Sequence, residues 1–442
     1  MSIALLKKIV IFSGLLSTVL SFNHTPNFYL LPLIPFTFSV LYYLTIPKNA
    51  YCGAGVTMVS LVLYIRYIIY PVTLVSSNFV INGDEELATK AILLMLYEII
   101  FIFITLRLSI HRVNNSGNSI ELSMVSPIIP LICTLILIYV LMVDPQVFAN
   151  RRWIWQTDLI TAEKVEVNAI LLELSKWAEF FVLIYVFYKL YKKYLHTHGV
   201  AYYYLSLIVL FIPCLTYTGH SRLSLLIPLI TFMFFITKVY QDKSKPVIRF
   251  VVIYSFVSMI LLTLQKSFGI SSLSDADVTI QDNMLNAYFG GVDNVIIGIE
   301  AYHNYGSSPL YMIVDSFRNM MGVSQYFSTL PNTLDNFNMA FYAHSIGFST
   351  DQIPPTITQG LMYFGPILCF VPTVIMTMAV CVADKIFYRT KDLQVAYLCL
   401  GFCVAVAWAI PGSYMHFTTR LFNYVLPLLI LVLINKFIKV KL

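Results

Sequence analysis

Long apolar stretches separated by short polar turns make up most of this chain. The run Ile128 to Val143 is continuous rather than alternating. That pattern reads as helix, because a membrane barrel strand is short and alternates at every second residue. A helix crossing a bilayer needs roughly 20 apolar residues. Twelve segments meet that need, at about 9–23, 28–46, 51–75, 91–110, 127–148, 170–190, 201–218, 223–238, 250–267, 356–383, 393–410 and 421–438. The expected fold class is therefore an all-α polytopic membrane protein with about 12 transmembrane helices. Residues 268–355 break the pattern and form one large outer-face loop. The expected division is 1–267 as a first bundle, 268–355 as the loop with short interfacial helices, and 356–442 as the last transmembrane helices.

The loop carries the aromatics Tyr288, Phe289, Tyr302, Tyr305, Tyr311, Phe317, Tyr326, Phe327, Phe337, Phe341, Tyr342 and Phe348, which disordered linkers lack. From Met284 to Asn304, Leu285, Tyr288, Val292, Val295, Ile296, Ile299 and Tyr302 share one helical face. Asn286, Asp293, Glu300 and Asn304 share the other. The segment Tyr311 to Met321 pairs an apolar face with Asp315, Arg318 and Asn319. Both segments are expected in the outer interface.

Composition narrows the class. Of the 442 residues, 58% are hydrophobic and 11% charged, against roughly 25% charged in soluble domains, and the mean hydropathy is +0.78. Surface-to-volume scaling excludes a soluble enzyme. The net charge of +6 with no basic stripe speaks against nucleic-acid binding. The seven cysteines lie within apolar runs with no C-x-x-C pair, so they read as small hydrophobes. With the N-terminus in the cytoplasm, 18 of the 28 lysines and arginines fall in inner loops and 7 in outer ones. By the positive-inside rule, both termini are cytoplasmic. Lys7-Lys8 and the following apolar run also resemble a signal peptide, but no small-x-small cleavage site follows, so the first helix is expected to stay.

Polar chemistry is sparse. In the outer loop 149–169, Arg151 and Arg152 precede Trp153 and Trp155. They suit a phosphate at headgroup level and equally an interfacial anchor. Thr218-Gly219-His220-Ser221-Arg222 makes a tight outer turn and places an arginine against the charge bias. Arg66, Glu98, Glu173, Lys176 and Glu179 lie within spans, where such groups face the bundle interior. Arg66 with Glu98 is expected as a structural interhelical pair, with a proton or substrate path as the alternative. No H-E-x-x-H, Walker or G-x-G-x-x-G motif occurs, so no metal, ATP or other cofactor is expected.

The chain resembles a known family in three features. These are the Thr218–Arg222 turn before Leu223-Ser224-Leu225-Leu226, one large late outer loop, and that loop's exit through Pro354-Pro355-Thr356 into Gln359-Gly360-Leu361-Met362-Tyr363-Phe364-Gly365. Together they look like the bacterial O-antigen and capsule repeat-unit polymerases (Wzy type). The architectural likeness covers the whole chain, whereas the motifs are confined to about residues 216–230 and 340–370. The resemblance implies a C-type glycosyltransferase fold in the bacterial cytoplasmic membrane. It implies transfer of a growing glycan from undecaprenyl pyrophosphate to a new lipid-linked repeat on the outer face. The implied partners are that lipid-linked oligosaccharide, the bilayer, a chain-length regulator and a flippase.

Such chemistry requires cations for the departing pyrophosphate and a base for the acceptor hydroxyl. The catalytic expectation falls on Arg222 first, matching the family's turn, then on Arg318, His344, Glu300 and Asp293, with His303 a further base candidate. Pyrophosphate binding is expected of Arg151, Arg152, Arg420 and His220. A single arginine in the large loop puts a two-arginine mechanism within it in doubt. An O-antigen ligase and a lipid-linked oligosaccharide flippase stand as alternatives. The flippase lacks the internal repeat usual in transporters. A polyprenyl-phosphate sugar transferase lacks its acidic pair, since 23–27 holds no acid and Asp84-Glu85-Glu86 is a solvated turn.

Overall fold

The computed structural model describes residues 3–22, 28–46, 53–76, 85–110, 126–149, 151–153, 168–218, 223–268, 288–343 and 352–437. In chain order the helices are α1 (Ile3–Ser21), α2 (Leu33–Thr45), α3 (Ala54–Tyr64), α4 (Tyr70–Ser76), α5 (Glu85–Ser109), α6 (Ile128–Val143), α7 (Gln146–Ala149), α8 (Ala169–Thr197), α9 (Val200–Phe211), α10 (Leu223–Tyr240), α11 (Ser244–Phe268), α12 (Val292–Tyr305), α13 (Pro309–Phe317), α14 (Thr333–Phe341), α15 (Thr356–Leu368), α16 (Val371–Arg389), α17 (Leu393–Ala409), α18 (Tyr414–Arg420) and α19 (Leu426–Phe437). Short π-helical segments, Ile65–Ile69 and Leu421–Val425, join α3 to α4 and α18 to α19. The described residues are helical apart from one two-stranded ribbon, in which β1 (Arg151–Trp153) pairs antiparallel with β2 (Thr216–Thr218).

Among the described residues, four helices are long and apolar enough to cross a membrane: Ala54–Ser76, Glu85–Ser109, Val371–Arg389 and Tyr414–Phe437. Shorter apolar helices include Leu33–Thr45, Ile128–Val143 and Leu393–Ala409. Two expectations need correction. The segment 356–383 is not one helix, because the chain leaves helical geometry at Gly365 (φ 72°) and only α16 continues as an apolar span. The segment 201–218 stops being α-helical at Phe211 and ends in the ribbon.

Contacts divide the chain into two compact units. The first combines 1–115, 274–385 and 405–421, and the second 116–273, 386–404 and 422–442. In the first unit, α1 and α2 pack so closely that a Cβ on Gly14 would collide with the Ser39 side chain. Phe38, Tyr42, Tyr67 and Phe103 form an aromatic core, with Phe38 and Phe103 edge-on at 5.5 Å. The N-terminus of α3 is capped in trans by the Asp384 carboxylate, which accepts from Gly55 N–H at 3.0 Å. Such a cap satisfies an orphan donor that no side chain at Gly53 can reach.

Arg66 and Glu98, both fully buried, are the interhelical pair expected. Arg66 Nη2 lies 3.0 Å from Glu98 Oε2, but outside hydrogen-bond geometry, so the attraction is Coulombic. Glu98 is held further by Tyr67 Oη at 2.9 Å and Thr373 Oγ1 at 3.0 Å. The π segment at Ile65–Ile69 interrupts the α-helical ladder beside Arg66, and its Ile68 carbonyl accepts from Ser17 Oγ at 2.8 Å. π segments of this kind widen one turn locally.

In the second unit, α6 and α9 pack against α8. Tyr191, Tyr194, Tyr203 and Tyr240 cluster edge to face, with Tyr203 and Tyr240 at 4.9 Å. Asn168 caps α8, accepting from Ile170 N–H at 3.0 Å. Lys238 Nζ donates to the Phe387 and Thr390 carbonyls at the end of α16. Lys176 and Glu173 pair with each other at 2.7 Å.

The buried pair predicts a non-additive mutational cycle. Glu98→Ala leaves Arg66 charged and uncompensated, and is expected to cost about 3–5 kcal/mol. The double variant Arg66→Met with Glu98→Leu removes both charges and should recover most of that loss. Thermal unfolding of the purified chain in detergent measures both, and equal losses in the single and double variants would refute the coupling.

Candidate functional site

The run Gln359–Gly365 organises the polar centre of the first unit, and each of its polar or small residues has a physical task. Gly360 lies against the folded-back chain, where a Cβ would collide with the Cys369 carbonyl. Gly365 takes the left-handed φ of 72° that reverses the chain, a conformation costly for residues with a Cβ. Gln359 and Tyr363, one helical turn apart, share a face. Gln359 Nε2 donates to Thr333 Oγ1 at 3.0 Å, while its Oε1 accepts from Tyr414 N–H at 2.7 Å and Ser413 Oγ at 3.2 Å.

Tyr363 Oη donates to Asp315 Oδ2 at 2.6 Å. The Thr333 hydroxyl donates to the same oxygen, and Thr333 N–H reaches Asp315 Oδ1 at 3.4 Å. Asp315 is 0% exposed. Burial pushes its carboxyl up to about 6, against the opposing hydrogen bonds of Thr333 and Tyr363 and the Arg318 charge. Three donors without an adjacent contacting cation make this a neutral-to-ionised balance rather than a salt bridge.

Around this centre stand the loop residues expected to act. Arg318 follows the end of α13, and its Nη1 is 2.8 Å from Asp335 Oδ2, with the two side chains 22% and 29% exposed. Asn332 steadies Asp335, donating to Oδ2 at 2.6 Å and capping α14 through Asp335 N–H at 2.9 Å. Arg420 is exposed at the end of α18, and His303 is exposed in the last turn of α12. Glu300 is half-buried on α12.

Asp293 departs from expectation. Helix α12 does not lie in the interface. Every residue from Val292 to Ile299 is buried, including Asp293 on the face read as polar, because α5, α14 and α15 pack round it. Gly298 permits the approach of α15, since a Cβ there would collide with Thr358. Asp293 Oδ1 has no hydrogen-bond partner among the described residues, and burial pushes its carboxyl up to about 7.

In the second unit, the ribbon brings the Arg151–Arg152 backbone beside the segment that leads to the Arg222 turn, with Arg151 opposite Thr218 and Arg152 opposite Tyr217. His220, Arg222 and His344 lie outside the described residues. Asp315, Thr333, Gln359 and Tyr363 were not among the expected site residues. The signal for two of them was the i, i+4 pair Gln359 and Tyr363 inside an otherwise apolar helix. Among the described residues, no three His, Cys, Asp or Glu side chains come together as a metal site. No protein-family model, curated protein or solved structure matches the chain.

Two tests follow from this geometry. Gln359→Leu strands the Thr333 and Ser413 hydroxyls and the Tyr414 N–H, at an expected cost of about 1–3 kcal/mol, read as a lower unfolding midpoint. The second concerns pH. A carboxyl raised above its ordinary value favours the fold while protonated, so its contribution is complete below that ordinary value and is lost as pH rises through about 7. The melting temperature of Asp293→Asn relative to wild type should therefore rise between pH 5 and pH 8. Identical melting curves at both pH values would show that Asp293 is not held protonated by burial.

Proposed function

We propose that this chain is a multi-pass protein of the bacterial cytoplasmic membrane that polymerises undecaprenyl-pyrophosphate-linked oligosaccharide repeats on the outer face. The observation that carries the reading is the organised outer loop. Its helices α13 and α14 are locked to Gln359 and Tyr363 of the very motif on which the family resemblance rests.

The alternation of spans is supported by which segments meet within each unit. Lys7 Nζ donates to the Tyr43 carbonyl at 2.8 Å, and Gly55 meets Asp384, all expected on the inner side. Lys436 pairs with Asp392 at 2.9 Å, also inner, whereas β1 and β2 are both expected outside. Apolar side chains such as Leu131, Leu135, Ile138 and Met142 on α6 are exposed, as a lipid-facing helix requires.

In the reaction proposed, the acceptor hydroxyl of a new lipid-linked repeat attacks the anomeric carbon of the growing chain. The bond from that carbon to the pyrophosphate oxygen breaks, and undecaprenyl pyrophosphate departs with the electron pair. Arg222 is the first cation assigned to that developing charge, and Arg151, Arg152, Arg318 and Arg420 are further candidates. Asp293, Glu300 and His344 are the base candidates for the hydroxyl proton. Of these, Asp293 has a carboxyl moved towards neutral pH, where a base is most effective.

The deciding measurement is the gel profile of surface polysaccharide from the source cell after deletion of the gene and its restoration as wild type or Arg222→Ala. The expected result is collapse of a ladder to a single repeat, rescued by wild type only, with the variant still present in the membrane. Full-length polymer retained on its lipid carrier would instead identify a ligase. Single lipid-linked units trapped on the inner side would identify a flippase.

A further inference from the structure

Helix α13 is amphipathic in an unusual sense, because its outward face is the apolar one. Leu310 is 53% exposed and Ile313 is 49% exposed. With half-buried Phe317 they occupy positions i, i+3 and i+7 of one helical face. The opposite side carries Asp315, fully buried in the network described above, and Val314 is buried on the flank between the two faces. The apolar surface continues past the helix end, where the Phe317 ring meets Phe327 at 5.7 Å and Tyr326 is 70% exposed.

This face also continues in the other direction. The start of α13 is held against the chain reversal, with Ser308 N–H donating to the Met362 carbonyl at 2.9 Å. Ser307 Oγ is the nearest group a Cβ on Gly365 would meet, at 3.9 Å. The chain leaves that reversal through Ile367, 76% exposed, and Leu368, 47% exposed. It then enters α16, a helix long and apolar enough to cross a membrane, whose outward residues Met378 and Val382 are exposed at i, i+4 spacing. Exposed apolar side chains thus occur on α13, at the reversal that holds its start and along the spanning helix that follows.

We infer that α13 lies on the outer surface of the bilayer, with Leu310, Ile313 and Phe317 set into the boundary between headgroups and acyl chains. The occupant is lipid because α13 is tied to the segment that leads into a spanning helix with exposed apolar residues of its own, and because the face carries no charge. Its neighbours Arg318 and Asp335 neutralise each other. An apolar helical face seated in this way buries its side chains by about 5–10 Å. Arg318, at the end of the same helix, then stands at headgroup depth. The inference rests on the membrane reading and is independent of the polymerase reading.

The test places a single environment-sensitive fluorophore on Leu310→Cys or Ile313→Cys of the full chain in phospholipid nanodiscs. Asn304→Cys, on the exposed end of α12, and Lys245→Cys, exposed at the start of α11, serve as aqueous controls. Wild-type chain treated identically corrects for the native cysteines. The expected result is blue-shifted emission at 310 and 313, quenched several-fold more than the controls by lipids carrying a shallow acyl nitroxide and several-fold less by iodide. Iodide quenching equal to the controls would overturn the inference by showing a solvent-facing helix. Blue-shifted emission reached by neither quencher would also overturn it, because a protein surface would then cover the face. Both labelled positions are surface sites, and retention of the wild-type elution profile confirms that each variant is folded.

Discussion

A carboxylate sealed from water must obtain its donors from the groups packed round it, and Asp315 obtains them from segments far apart in the chain. Thr333 comes from the next loop helix and Tyr363 from the helix after the loop. Gln359 then ties Thr333 to the Ser413-Tyr414 turn. The demand is strict, since an unsatisfied buried acceptor forfeits about 1–3 kcal/mol. Four segments, α13, α14, α15 and the Ser413-Tyr414 turn, are thereby held in one register. The hydrophobic cluster of Ile297, Ala301, Phe337, Ala340 and Met362 fills the space between them. It supplies cohesion, while the polar contacts supply the register, because apolar packing alone tolerates slippage.

The same constraint explains why an apolar run is not always a span. Residues 356–368 are nearly as apolar as the helices around them, yet Gln359 and Tyr363 look towards polar partners and Gly365 reverses the chain. Arg66 poses the related problem within a helix long enough to cross. There the solution is a π segment and the Glu98 carboxylate of α5, which accepts from the adjacent Tyr67 hydroxyl and from Thr373 of α16. In both places a polar residue inside an apolar segment is matched by partners from distant parts of the chain. Hydrophobicity sums over a window cannot register such partners.

That difference sets how much was legible beforehand. Helix as the dominant element, the membrane class and the Arg66–Glu98 pairing could be read from periodicity and from the cost of a buried charge. The break at Gly365 could not, because the fold-back against Cys369 depends on tertiary contacts. The placement of α12 was misread for a related reason. Its Asp293, Glu300 and Asn304 made one face look polar, but a helix surrounded by α5, α14 and α15 is buried on more than its apolar face. The importance of Asp315 was missed because a lone aspartate on an amphipathic segment carries no spacing signal of its own. The i, i+4 pair that contacts it did carry one.

The Arg318–Asp335 pair bears on whether the loop's one arginine can serve a phosphate at all. A guanidinium carries five N–H donors in a rigid fork, and the pair engages Nη1 with Asp335 Oδ2. Asp335 is itself fixed by Asn332 and by the cap of α14, so it orients the fork rather than following it. Partial exposure keeps the pair weak, of the order of 1 kcal/mol or less. A dianionic phosphate presents more charge than the carboxylate and the same bidentate geometry. Binding it therefore requires no rupture of the loop's core, only a share of a guanidinium already aimed and partly open. An oriented, weakly held arginine at the end of α13 is compatible with phosphate recognition. A deeply buried pair such as Arg66 with Glu98, in which removing either charge leaves the other sealed from water, is not.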